Sequence, residues 1–220
     1  MTRCQCDGIE RCFNPRRVTS DLERYRKRGP VKSSRLLVEA LRAQGVEGLT
    51  LLDIGGGVGA VIHALLQAGA RQATDVDAAA AYLAAARDEA QRRGLAERIS
   101  FRHGDFVALA PTLPAADVVT LDRVICCYDD MPALVGLSAA RAQKLYGVVY
   151  PRDTWWIRLF MRVQNVTMRA TRAPMRAPMR FFVHPTAAVE AAIRAQGLER
   201  RSYRTAGPWQ VVVYARTQPH

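Results

Sequence analysis

Four carboxylates and a run of glycines carry the chemistry open to this chain. A short apolar stretch, Leu49–Ile54, ends in Asp53-Ile54 and drops into Gly55, Gly56, Gly57 and Gly59. Asp77, Asp105 and Asp122 stand at the ends of the next three short strand-like segments. Closely spaced glycines let the backbone turn tightly and approach a ligand with no Cβ in the way, where a following helix presents free N–H groups. Two ligand classes use such a turn. Gly55-x-Gly57-x-x-Ala60, with Asp77 twenty residues beyond Gly57, fits a dinucleotide fingerprint in which the acid takes the ribose. Asp53 tilts the choice, because a carboxylate just before the turn repels a pyrophosphate and suits a cationic ligand such as S-adenosylmethionine (SAM), which carries a sulfonium and an ammonium group.

The elements that must position these residues follow from periodicity and breakers. Val31–Ala43 has helical apolar spacing and stops at Gly45; Val61–Gln67 stops at Gly69, and Ala78–Arg93 at Gly94. Strands are expected at Leu49–Ile54, Gln72–Val76, Ile99–Arg102 and Asp117–Leu121, with a helix from Pro132 to Ala142 and a strand from Leu145 to Tyr150. Alternation with short connections means a parallel, doubly wound α/β sheet. A helix at Thr186–Ala195 and two strands, Arg200–Thr205 and Trp209–Ala215 around Gly207-Pro208, close the chain as an antiparallel pair. Ligands of open α/β sheets bind beyond the C-terminal strand ends, where the four acids stand.

The run Asp53-Ile54-Gly55-Gly56-Gly57-Val58-Gly59 resembles the D/E-x-G-x-G-x-G signature of class I SAM-dependent methyltransferases. The resemblance covers roughly residues 45 to 216. It implies a Rossmann-like fold with a seven-stranded mixed sheet in the order 3-2-1-4-5-7-6 and helices on both faces. It also implies a SAM pocket of Asp53, Gly55, Gly57, Gly59, Asp77, Asp105, Phe106 and Asp122, with Asp77 as the ribose ligand, Asp75 as its alternative, and Gly104-Asp105-Phe106 at the adenine. Asp77 and Asp105 could instead be helix N-caps. Methyl transfer is an in-line displacement, so positioning does much of the work. If the acceptor must lose a proton, Asp122, Tyr128 and His184 are the candidate groups, ahead of Cys126 and Cys127.

The family also narrows the acceptor. Enzymes that methylate nucleobase or glutamine amines carry a [D/N]-P-P-[Y/F/W] turn where this chain has Asp122-Arg123-Val124-Ile125, and a cytosine-C5 enzyme needs a Pro-Cys there. Leu121-Asp122-Arg123-Val124-Ile125-Cys126-Cys127-Tyr128, Phe182-Val-His184-Pro and Gln210-Val-Val-Val-Tyr are similar to magnesium-protoporphyrin O-methyltransferases and their bacterial relatives, which methylate a propionate carboxylate. Their L-D-x-L-I-H-Y element has a histidine where this chain has cysteine and is one residue shorter. The fold and a small-molecule acceptor carry over; the porphyrin does not.

The net charge of +12 is local. Residues 1–35 and 152–183 each hold a net +6, and the remainder sums to zero. Residues 1–44 therefore read as a basic N-terminal cap and helix, and 45–220 as the methyltransferase domain with a basic amphipathic lid at 152–183. Within that insertion Trp155, Trp156, Leu159, Phe160, Val163 and Val166 or Thr167 share a face, with Arg158, Arg162 and Arg169 off it. Three readings stay open: a helix packed on the domain, a lid whose Trp155, Trp156, Arg158 and Arg162 hold an anionic acceptor together with Tyr25, or an interfacial helix in peripheral contact with anionic lipid. Basic flanks also admit a nucleic-acid-binding protein on the same scaffold, or an RNA methyltransferase, although no aromatic-basic interleaving supports it. The chain has no 18-residue apolar run and no signal-like N-terminus, so the expectation is a soluble cytoplasmic protein. Five cysteines fit a reducing compartment, and Cys4, Cys6 and Cys12 without a fourth ligand nearby argue against a structural metal.

Overall fold

Val118 and Val119 point to opposite faces of one strand and both are buried, which requires a sheet covered on both sides. The computed structural model describes residues 13–171 and 180–217; Cys4, Cys6, Cys12 and the two Arg-Ala-Pro-Met repeats lie outside them. The strands are β1 (Thr50–Ile54), β2 (Gln72–Asp77), β3 (Ile99–His103), β4 (Ala116–Asp122), β5 (Ala142–Pro151), β6 (Leu198–Ala206) and β7 (Trp209–Arg216). They form one sheet in the order β3-β2-β1-β4-β5-β7-β6, parallel through β5 and antiparallel for β7 and β6. Fold class and strand order are those expected.

The helices are α1 (Pro15–Arg28), α2 (Lys32–Arg42), α3 (Ala60–Gln67), α4 (Ala80–Arg92), α5 (Phe106–Leu109), α6 (Met131–Arg141), α7 (Trp155–Thr171) and α8 (Thr186–Arg194). Helices α2 and α3 cover one sheet face, with Leu37, Leu41, Ile62 and Leu65 fully buried against Leu51, Val149 and Val213. Gly147 of β5 makes the close approach of α2 workable, since a Cβ there would lie 2.8 Å from Leu37 Cδ1. On the other face α6 and α8 pack Leu134, Val135, Val189 and Ile193 against Leu52, Val119, Tyr146 and Tyr214.

Two features differ from expectation for physical reasons. The run Asp21–Arg28 reads from sequence as a short helix, yet the helix starts six residues earlier at Pro15, because Asn14 accepts the Arg17 N–H at 3.2 Å and proline at N1 loses no helical bond. Its Val18 then packs with Ala79, Tyr82 and Ala85 of the α4 region. The larger difference is α7. The face shared by Trp155, Trp156, Leu159, Phe160, Val163 and Val166 is exposed, and the helix is anchored instead by buried Ile157 and Met161.

Candidate functional site

A cavity of about 550 Å³ opens at the C-terminal ends of β1, β2 and β4, between the glycine turn, α1 and α7. Its floor is built by backbone conformations that the sequence makes available. Gly55 and Gly57 have φ of 69° and 59°, in the left-handed region that favours glycine. A Cβ on Gly55 would meet Val124 Cγ2 at 2.5 Å, whereas one on Gly57 meets no protein atom within 4 Å and lines the cavity. The turn therefore presents bare backbone to whatever occupies the space, followed by the N-terminus of α3.

Asp77 stands at the end of β2 and is buried. Its Oδ2 accepts the Gly57 N–H at 3.1 Å and its Oδ1 the Ala79 N–H at 2.8 Å, which ties the glycine turn to the start of α4. Each oxygen keeps a further lone pair for a ligand hydroxyl. Asp105 caps α5 by accepting the Val107 N–H at 3.1 Å, and Tyr128 donates its hydroxyl to the same carboxylate at 2.9 Å. Phe106 follows in the cavity wall. Asp122, at the end of β4, accepts hydrogen bonds from the buried Ser34 hydroxyl of α2 and from Arg123 Nε at 3.3 Å.

Two expected cofactor residues lie behind the wall. Gly59 has φ 78° and adjoins His63, whose imidazole would be 2.7 Å from a Cβ there, so this glycine makes room for a buried histidine. Asp53 is in register with Asp75 on β2 and Thr120 on β4, and Thr120 donates its hydroxyl to Asp53 Oδ1 at 2.6 Å. Among the described residues, Asp53 Oδ2 and both oxygens of Asp75 are buried without a hydrogen-bond partner. Burial, helped by the neighbouring acids Asp122 and Asp77, pushes Asp53 up to about 8; burial and the Asp53 charge push Asp75 well above the ordinary carboxylate range. Acids packed like this are costly when charged unless a cation sits nearby, and a cationic ligand above the turn would supply that charge.

The stability consequence has a definite sign. A carboxyl whose folded pKa is raised stabilises fully below its unfolded value of about 3.9 and loses that contribution as pH rises through the folded value. The ligand-free protein should therefore lose melting temperature between pH 5 and 8, the window that ends at the Asp53 value of about 8. Asp53→Asn keeps an acceptor for Thr120 and should flatten that slope in differential scanning calorimetry; an unchanged slope would remove Asp53 from the account.

The remaining expected residues divide. Tyr25 lines the cavity and its Oη lies 3.3 Å from His63 Nδ1. Burial drives His63 down to about 4, so it is neutral near pH 7. His184 does not reach the cavity: its Nε2 lies 2.8 Å from the Tyr128 carbonyl and 3.2 Å from that of Ile125. Both partners are acceptors, so Nε2 carries the proton and the ring holds the loop after β4 rather than taking a proton from an acceptor. The lid contacts are corrected as well. Trp155, Trp156, Arg158 and Arg162 are not in the wall, and Arg158 pairs with Asp153 at 2.5 Å. Helix α7 contributes Phe160, Met161 and Gln164 in their place. The cause is helical phase: Ile157 and Met161 fix which side faces inward, and the tryptophans fall on the other.

Three cations to which the sequence assigned no ligand role line the cavity. Arg17 and Arg24 line the cavity from α1 and share Asp21, at 4.0 and 2.5 Å. Arg123 lines it from the β4 loop with φ 63°, the one non-glycine residue in that region among the described residues. The Asn14-Pro15 pair could have signalled the earlier start of α1; nothing local announced the Arg123 conformation.

Comparison with known proteins decides what the cavity belongs to. Residues 51–143, which run from β1 through α6, match a family model described as a methyltransferase domain. The segment that builds the glycine turn and the β4 end of the cavity is similar to a methyltransferase domain. Among solved structures, the chain superposes on the magnesium protoporphyrin IX methyltransferase of Synechocystis PCC 6803, solved with bound SAH, with a TM-score of 0.70 at 17% identity, covering 95% of this chain and 98% of that one. An O-methyltransferase family protein from Burkholderia thailandensis gives 0.71 at 18% identity over 95% of this chain and 62% of that one. An O-methyltransferase family 2 protein from Planctomyces limnophilus DSM 3776, in complex with apigenin, gives 0.60 at 16% over 89% and 64%. At these identities the likeness is one of fold. A search of curated protein sequences gave no match to this chain.

Proposed function

We propose that this chain is a SAM-dependent methyltransferase that acts on a small anionic acceptor and that the accepting atom is oxygen. The observation that carries the reading is that Arg17, Arg24 and Arg123 line the cavity floored by the glycine turn, with Arg123 in the left-handed region at the end of β4. An arginine there can take a carboxylate in a fork of two N–H bonds. The O-methyltransferases among the solved structures of similar fold support an oxygen acceptor.

In this reading Asp77 holds the ribose hydroxyls, Asp105 and Phe106 flank the adenine, and Gly55 and Gly57 give the methionine portion bare backbone. Asp53 acts at second hand, as a buried carboxyl beneath the turn whose charged form a cationic ligand above it would favour. SAM supplies an electrophilic methyl group when bound. The chain orients the acceptor and excludes water with Phe160, Met161 and the α1 wall. A carboxylate acceptor needs no base; a hydroxyl acceptor would give its proton to Asp122, which Ser34 and Arg123 hold in place. The nucleic-acid reading gains no support from the comparisons.

The test is methyl transfer from labelled SAM to a panel of small carboxylic and hydroxy acids. Arg123→Gln should raise KM for the acceptor roughly tenfold or more, the worth of a charged hydrogen bond, with the SAM dissociation constant unchanged. Labelling confined to uncharged or nitrogen acceptors would overturn the proposal.

A further inference from the structure

Helix α7 carries six of the seven large apolar side chains left exposed among the described residues, with Trp155 at 77% and Val166 at 66%. Scattered exposed apolar residues need no explanation, but six on one helix of 17 residues do. At about 100° per residue the six fall within an arc of about 140°. The anchoring stripe of Ile157 and Met161 borders that arc on one side, and Arg158 and Arg162 stand on the other.

Charge decides what covers this face. Residues 152–171 hold four arginines and one acid, Asp153, which is already paired with Arg158. A second copy of a chain of net charge +12 would bring like-charged rows together. An apolar strip with paired tryptophans at one end and arginines along its border instead matches the boundary of an anionic bilayer, where the strip enters the acyl region and the guanidiniums stay with the phosphates. Among the described residues no helix is long and apolar enough to cross a membrane, so the contact is peripheral.

We infer that α7 docks this protein on an anionic membrane surface through Trp155, Trp156, Leu159, Phe160, Val163 and Val166. Phe160 belongs both to the exposed strip and to the cavity wall, so the docked face lies beside the cavity. Resting on the proposed function, this gives an amphiphilic acceptor a route from the lipid to the site; docking itself does not depend on that reading.

The experiment is cosedimentation of the full chain with vesicles of phosphatidylcholine alone or mixed with phosphatidylglycerol, with tryptophan emission read in parallel. Binding is expected to the mixed vesicles, weakened by salt, with a blue shift as Trp155 and Trp156 leave water. Leu159→Ser with Val163→Ser keeps both tryptophans and should lower the partition coefficient about tenfold or more, with melting temperature and SAM affinity retained. Arg158→Gln with Arg162→Gln should lower it about thirtyfold. Equal affinity for both vesicle types, no binding to either, or binding indifferent to the Leu159 and Val163 changes would overturn the inference. A dimer in sedimentation equilibrium that the same two changes dissociate would assign the face to a second copy and overturn it too.

Discussion

Replacing Asp77 with alanine is expected to weaken SAM binding about a hundredfold in isothermal titration calorimetry. Each hydrogen bond to a charged acceptor contributes about 1.5 to 3 kcal/mol, and two ribose hydroxyls on one carboxylate together account for about 3 kcal/mol, or two powers of ten. The same carboxylate accepts the Gly57 and Ala79 N–H groups, so the ligand-free variant should also melt a few degrees lower as the glycine turn loosens. Asp77→Asn separates the two effects. It retains one acceptor for the Ala79 N–H but turns an amide donor toward Gly57 or the ribose, and should fall between wild type and alanine in affinity. Wild-type affinity in Asp77→Ala would leave the carboxylate as a cap and nothing more.

Glu89→Ala should give the largest loss of stability, about 2 kcal/mol, or roughly 4 to 8 °C in melting temperature for a chain of this size. Glu89 is fully buried on α4 and accepts from Arg92 at 2.5 Å, Arg93 at 2.7 Å and Arg26 of α1 at 2.8 Å. Arg93 also lies over the Tyr25 ring at 4.8 Å, so one carboxylate fixes the helix that closes the cavity. The figure is set below that of a fully buried ion pair because the arginines are partly exposed and screened by solvent.

The pH dependence of this site runs opposite to that of Asp53. Hydrogen bonds from Arg92, then Arg26 and Arg93, outweigh burial and hold Glu89 well below the usual carboxylate range. Its contribution is present above the unfolded value of about 4.3 and is lost as pH falls below it. Wild-type stability should therefore fall on the acid side through Glu89 and on the alkaline side through Asp53. Glu89→Ala should flatten the acid limb and leave the other; a variant whose acid limb matches wild type would show that the arginine cluster is not what fixes it.

The sequence by itself determined the sheet and the glycine turn that floors the cavity. Strands with both faces buried must be apolar throughout, so β1 and β4 announce themselves, and a turn that exposes bare backbone must use glycine, so Gly55 and Gly57 do as well. Acids at successive strand ends follow from the parallel topology, which gathers those ends along one edge. The tertiary structure alone decided which of these residues touch the cavity. Asp53 and Gly59 are as prominent in the motif as Asp77 and Gly57, yet the pleat buries Asp53 beside Asp75 and the α3 backbone turns Gly59 onto His63. For α7 periodicity revealed a six-residue apolar face and left its direction open, because amphipathicity fixes the angle between faces and not which face meets the protein. Ile157 and Met161, two residues that pattern alone does not single out, settle that direction, and they turn the tryptophans to the outside.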